Sequence, residues 1–567
     1  MQKARTQKIR STEYVYSETS FRVPGKEYPS HTRMYLGKIV EGAFVPNATF
    51  LELSEEDKRK TGLVYSPPET TSLRRSVGRP RAADSGSRLF CGEHLVLSSV
   101  YKQLSIEDDL HTVFGQERTA NMLSLASYLV SEPDTPLYRF DRWARIRQHA
   151  SGEAIPSPRS SELFASITED EVQRFMKLRM RRGIGTRGWL AVDSTSISSY
   201  SRTLALVAAG RNKDHDALDQ INLLLIFDQD ADIPVFYRIL RGCIPDVSTV
   251  THTMDELKGL GFAGVSMVMD RGFYSENNVR ALLKMKYRFT LGVSTSVGYV
   301  RKAISDHRRN MQSPSSYDEA RDVFFASVPI PFEVPVRGKT PESATAWLHL
   351  YYSKEREASE VKDFMKRLKK IREGIECGSD DGESARARTY FTIVKNGKGT
   401  LLSCTEKAEV IKEELEHCGF FAILTSERLG SSEVLTLYRT KDRVEKAFNN
   451  LKDRLSMRRT GCSSDSSFRG KVFVQFIALM ITSHIQKVMR QNELYTKYTF
   501  RELLDELMPI EYFEYAGKRG HYGEITEKQG KILRTFAVQL PTEAWPASIR
   551  KEILREKKIV QAGAQIL

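Results

Sequence analysis

Two short apolar runs, each closed by an aspartate, constrain this chain more than anything else in it. Residues 188–192 read Gly-Trp-Leu-Ala-Val and end in Asp193, with Ser194, Thr195 and Ser196 behind it. Residues 265–269 read Val-Ser-Met-Val-Met and end in Asp270, followed by Arg271, Gly272, Phe273 and Tyr274. Short β-rich runs of this kind predict strands, and a carboxylate that closes one sits at the C-terminal edge, where open α/β sheets keep their sites. Taken singly, each aspartate reads equally as a cap or turn residue. The segments around them predict strands at 219–227 and 233–239, helices at 246–260 and 276–285, and a strand at 287–293. Three consecutive strands followed by alternating helix and strand imply an α/β fold, a mixed sheet flanked by helices.

A third carboxylate comes much later. Residues 437–452 hold no Pro or Gly, and Leu437, Val444, Phe448 and Leu451 recur at helical spacing, with Leu455 extending the face, so the stretch reads as one helix. On such a helix Tyr438 lies about 20° from Glu445, Lys441 about 40° from it, and Lys452 about 20° off on the other side. One edge then carries a phenol, two ammonium groups and a carboxylate. A solvated charged face with an i,i+4 Lys–Glu pair explains the same pattern.

Together, two strand-end aspartates and a later helical glutamate resemble the DDE transposases with an RNase H-like core. The likeness is to the insertion-sequence group whose last motif runs Tyr, two residues, Arg, three residues, Glu, six residues, Lys. Tyr438, Glu445 and Lys452 match that YREK-type spacing, while Lys441 stands at the Arg position and lacks the planar fork for bidentate phosphate contact. The segment Asp270-Arg271-Gly272-Phe273-Tyr274-Ser275 is similar to that group's second-Asp motif. The resemblance implies Asp193, Asp270 and Glu445 as catalytic residues and as ligands of two Mg²⁺ ions, for which Mn²⁺ can substitute. Oxygen ligands suit such ions, and metal-free carboxylates so grouped repel one another. It further implies that Tyr438, Lys441, Lys452 and Arg271 face the DNA end.

Glu445 lies 445 − 270 = 175 positions beyond Asp270, whereas two strand–helix units need about 60. A large inserted domain at 297–425, before the last catalytic helix, is therefore expected. Its single Trp347 is a candidate base-stacking residue by resemblance, although its alternating apolar neighbours favour a core place. The core is expected as 186–296 and 426–490. Residues 1–70 read as a basic arm and small β region, 71–92 as a basic linker, 93–185 as a helical region and candidate DNA-end-binding region, and 491–567 as a helical tail. Within the linker, Gly78-Arg79-Pro80-Arg81 is similar to the AT-hook element that enters A·T minor grooves, which makes Arg79 and Arg81 candidate DNA contacts beside the plainer reading of a charged linker. Asp214 and His215 read as turn chemistry.

Lys plus Arg number 86 against 72 Asp plus Glu in 567 residues, a net charge of +14 that suits a polyanionic partner. Six scattered cysteines without a CxxC pair argue against a disulfide framework or structural zinc site. The charged opening decapeptide has no apolar stretch behind it, and the most apolar segment, 472–485, falls short of the roughly 20 residues of a span. A cytoplasmic protein with no membrane partner is expected, nucleoid-associated in a bacterial host. The expected function is a transposase that acts on double-stranded DNA, the ends of its element and a target, as a homodimer on paired ends. A nuclease of the same fold without strand transfer, or a DNA-binding regulator derived from a transposase, are the alternatives.

Overall fold

The computed structural model describes every residue except 1–2, 10–11, 23–28, 41–42, 64, 66–86, 184, 186–187, 211–212, 214–217, 262–264, 336–339, 378–384, 397–400, 456, 458–460, 463, 516–519 and 565–567. Arg79, Arg81, Asp214 and His215 lie outside the described residues. The chain divides into two units, Met1–Ala83 and Asp84–Leu567. The first is an antiparallel meander of Arg5–Ile9, Thr12–Phe21, Ser30–Val40 and Ala43–Pro46. Helix Ala48–Leu51, capped by Asn47, follows; Phe50 is buried, as are Val15 and Leu36 of the meander.

The second unit is built on one nine-stranded mixed sheet. Its strands are β1 (Trp189–Ser198), β2 (Gln220–Asp228), β3 (Ile233–Arg241), β4 (Ser266–Met269), β5 (Arg288–Val293), β6 (Tyr317–Asp318), β7 (Val323–Val334), β8 (Glu342–Tyr352) and β9 (Phe420–Thr425). They lie in the order β6-β7-β8-β9-β5-β4-β1-β2-β3. β1, β4 and β5 are mutually parallel; the other pairs are antiparallel. The parallel centre is buried on both faces, as it must be when helices cover both sides.

Side chains alternate across the sheet. On one face Tyr351 of β8 meets helix α1 (Ser431–Arg439), its hydroxyl donating to the Ser431 carbonyl at 2.7 Å. On the other, Phe332 of β7 meets Tyr299 of helix Gly298–Met311, ring centres 6.0 Å apart. Helix α2 (Asp442–Asn449) packs on β1 and β2, and helix α3 (Asp465–Gln491) on β3. α3 is long and apolar enough to cross a membrane by length and composition, but most of that apolar surface is buried within the protein. It packs against helix Gln116–Ser131 as well as the sheet.

Three sequence expectations need correction. Residues 437–455 are not one helix: the chain breaks between α1 and α2, and α2 runs into a π-helical turn, Asn450–Arg454. Thr440 causes part of the break, because its hydroxyl turns back onto the Leu437 carbonyl at 2.5 Å and competes with the helical pattern. Residues 297–425 are not wholly a separate insertion. β7 and β8 extend the main sheet, since β9 presents a free edge that β8 pairs over six residues, Trp347↔Thr425 to Tyr352↔Phe420. Only the part around helix Lys354–Glu376 forms a satellite, with its own core of Phe364, Leu368, Ile375, Ala387, Phe391 and Ile411. Finally, the end regions are not purely linker and helix, because Ser87–Phe90 pairs with Glu511–Glu514, which pairs with His521–Tyr522.

Candidate active site

The parallel register sets the first two carboxylates side by side. Val192 of β1 pairs with Met269 of β4, so the next residues on each strand, Asp193 and Asp270, emerge at the same level. Asp270 follows the end of β4 as predicted, at the head of the turn Arg271–Phe273. Asp193 does not close its strand. β4 ends at Met269 but β2 continues alongside, so β1 keeps one neighbour, Asp193↔Leu225, and runs on to Ser198.

Asp270 is held by the α1–α2 junction. One of its oxygens accepts from the Tyr438 hydroxyl at 2.9 Å and from the Lys441 ammonium at 3.0 Å. The same ammonium lies 3.5 Å from Glu445 at the exposed start of α2, and 5.1 Å from the centre of the Tyr438 ring. Two carboxylates distant in sequence therefore share one lysine, on the face of the sheet that carries α1. The room for this contact comes from β5, where Gly292 lies directly under the Tyr438 hydroxyl: a Cβ there would stand 2.4 Å from that oxygen and 3.1 Å from the Arg271 amide.

These contacts set the protonation states. Burial pushes the Asp193 carboxyl up to about 6, against the pull of Lys213 and the Ser194 amide. Burial alone would also raise Asp270, but the charge and hydrogen bond of Lys441, with the Tyr438 hydroxyl, hold it below the usual carboxylate range. Burial and the Asp270 charge push the Tyr438 phenol upward, which keeps it a donor. Burial works against the charged form of Lys441, yet its pKa rises because Asp270, then Glu445 and Asp193, favour the ammonium.

The donor set fits a hard divalent cation in its chemistry. It offers carboxylate oxygens only, arranged about a point where positive charge is already favoured. Among the described residues, no three His, Cys, Asp or Glu side chains stand close enough together to hold one ion, and the Lys441 ammonium lies between Asp270 and Glu445.

The other predicted residues fall in different surroundings. Arg271 is exposed beside Asp270. Lys452 is only 8 % exposed, in the π-helical turn, so the single charged edge read from helical geometry does not form. Trp347 is half-buried on β8 with the Arg428 guanidinium 5.1 Å from its ring centre. Sequence reading passed over Gly292, whose signal was a glycine inside a strand pattern. It also passed over Lys213 and Asp246, for which no local signal exists.

Comparison with known proteins places this chain in a family. A model of the family described as Transposase DDE domain matches residues 185–481, which hold all three carboxylates. No curated protein matches. Among solved structures, the chain is similar to one described as the cryo-EM structure of a piggyBac transposase synaptic complex with hairpin DNA, at 11% identity and a TM-score of 0.35, covering 82% of this chain and 82% of that one. Since the family match spans just over half of its length, this chain belongs to the DDE-domain transposases.

Proposed function

We propose that the protein binds the ends of its own mobile element, cleaves the strands and joins the 3′-OH ends to target DNA, with Asp193, Asp270 and Glu445 as the catalytic carboxylates. The observation that carries the proposal is the meeting of Asp270 and Glu445 on the Lys441 ammonium, beside Asp193 in the adjacent strand register. An RNase H-like reading of the core is supported by the strand order β5-β4-β1-β2-β3, with β1, β4 and β5 parallel and β2 and β3 antiparallel to their neighbours.

In this reading the three carboxylates would hold two Mg²⁺ ions. Such ions supply activation of the attacking oxygen and stabilisation of the leaving one in an in-line displacement at phosphorus. The side chains prepare the site for that chemistry. Lys441 and Tyr438 keep the Asp270 carboxylate ionised and fixed in direction, and withdrawal of Lys441 toward a DNA phosphate frees it. Arg271, exposed at the rim, offers a guanidinium to the DNA backbone. Arg79, Arg81 and Trp347 are further proposed DNA contacts, and a homodimer pairing two ends is the proposed working form, with membership of the YREK insertion-sequence group. Lys452 reaches phosphate only with its turn opened.

The test is plasmid cleavage with purified protein, DNA carrying the element's ends, and Mg²⁺. Asp193→Ala, Asp270→Ala and Glu445→Ala should each lower strand cleavage by at least a thousandfold while DNA retention on a gel stays within about threefold of the parent. Robust cleavage by any one variant removes that residue from the site. Joining of pre-cut 3′-OH ends to a target plasmid separates a transposase from a nuclease of the same fold.

A further inference from the structure

Asp193 has a second set of neighbours that the shared lysine does not explain. The Lys213 ammonium donates to the Ser194 carbonyl at 2.7 Å and contacts the Ser194 hydroxyl at 2.7 Å, lies 3.2 Å from an Asp246 oxygen, and stands 3.9 Å from Asp193. The Ser194 hydroxyl in turn donates to the other Asp246 oxygen. The lysine backbone is anchored too, its amide donating to the Ser196 hydroxyl at 2.7 Å. Ser194 is buried, so it acts as a tether rather than an exposed nucleophile.

Asp246 is itself fixed. It opens the turn Asp246–Ser248, and Asn278 clamps that turn to the one after Asp270 by donating to the Val247 carbonyl at 2.7 Å and the Phe273 carbonyl at 2.9 Å. The network thus ties the strand that carries Asp193 to the turn that follows Asp270. The Lys213 side chain is 40% exposed, so its charge is open to the space over the site.

We propose that Lys213, gripped by Ser194 and Asp246, is a positioning residue for Asp193. It supplies a fixed countercharge to that carboxylate, separate from the Lys441 ammonium, and holds its direction. This rests on the assignment of Asp193 as a catalytic carboxylate. Each strand-borne aspartate then has its own lysine, Lys213 for Asp193 and Lys441 for Asp270, and the two ammonium groups come from different parts of the chain. A tethered positive charge so close to Asp193 also opposes entry of a free cation there, so removing it has two opposite consequences that a purely structural residue would not produce together.

The experiment uses the full chain and Lys213→Met, which keeps the aliphatic stem. Mn²⁺ alone is titrated into the DNA-free protein and followed by electron paramagnetic resonance, and nicking of the element-end plasmid is measured at saturating Mg²⁺. The expected result is Mn²⁺ bound at least threefold more tightly, nicking slowed at least tenfold, and part of that rate restored in Lys213→Arg. Asp246→Asn, which retains shape and loses charge, should slow nicking less and serves if Lys213→Met does not fold. Nicking at the parent rate in Lys213→Met overturns the proposal, as does slower nicking with unchanged Mn²⁺ affinity and no rescue by arginine. If Asp193→Ala abolishes nicking while Lys213→Met leaves it intact, the catalytic assignment stands and this inference alone falls.

Discussion

A single added methyl group at Gly292 would press on the Tyr438 hydroxyl, the donor that with Lys441 fixes Asp270. Overpacking of this kind costs about 1–3 kcal/mol, and here it acts on the donor rather than on the core. Gly292→Ala should therefore lower strand cleavage at least tenfold with a thermal midpoint within a few degrees of the parent. Tyr438→Phe, which forfeits one hydrogen bond worth about 1 kcal/mol, should also slow cleavage. The double variant should be no slower than the worse single one, since loss of the hydroxyl removes the closest contact and leaves only the ring Cζ, 3.1 Å from the added methyl. Additive losses in that double-mutant cycle would separate Gly292 from Tyr438. At this scale the sequence was informative about chemistry and silent about contact. Asp193, Asp270 and Glu445 stand out by residue type and by what precedes them, whereas Lys213 and Asp246 lie 33 residues apart and meet only in the fold.

Among the elements, the α1–α2 break matters most to the site. Tyr438, at the end of α1, and Lys441, in the turn before α2, lie three residues apart and meet the same oxygen of Asp270. The N-terminus of α1 is pinned by a buried polar knot, where the His349 ring nitrogen lies 2.9 Å from the Ser327 hydroxyl and 3.2 Å from that of Ser431. Burial pushes the His349 imidazole down to about 4 from an ordinary 6.5, so it stays neutral in the fold while the unfolded chain takes up a proton. Its contribution is complete above about pH 6.5 and drains away as pH falls towards 4, to a limit of about 3 kcal/mol. Relative to His349→Gln, the parent should lose stability more steeply between pH 6.5 and 4.5 in denaturant unfolding. Parallel curves for the two proteins would show that α1 docking does not sense this histidine.

The whole molecule divides at residue 83, and the larger unit contains the entire sheet with its site. A chain of residues 84–567 should consequently unfold cooperatively with a midpoint within about 3 °C of the main transition of the full protein, by calorimetry. Loss of that transition in the shorter chain would mean that Met1–Ala83 is needed to hold the larger unit. The order of strands and helices in the core was legible from the sequence because hydrophobic periodicity and turn residues are local properties. The predicted strands near 219–227, 233–239 and 287–293 match β2, β3 and β5 closely. The fate of residues 297–425 was not legible, because an apolar strand records that it needs a neighbour without recording which one, and β7 and β8 found theirs at the edge of β9. By itself, then, the sequence determined a mixed α/β sheet and singled out three acidic side chains, one on β1, one just past β4 and one on a later helix, as candidates. Only tertiary structure decided that Lys441 would stand among them, that Lys452 would be buried, and that Lys213 would brace Asp193, since each depends on groups brought together from distant parts of the chain.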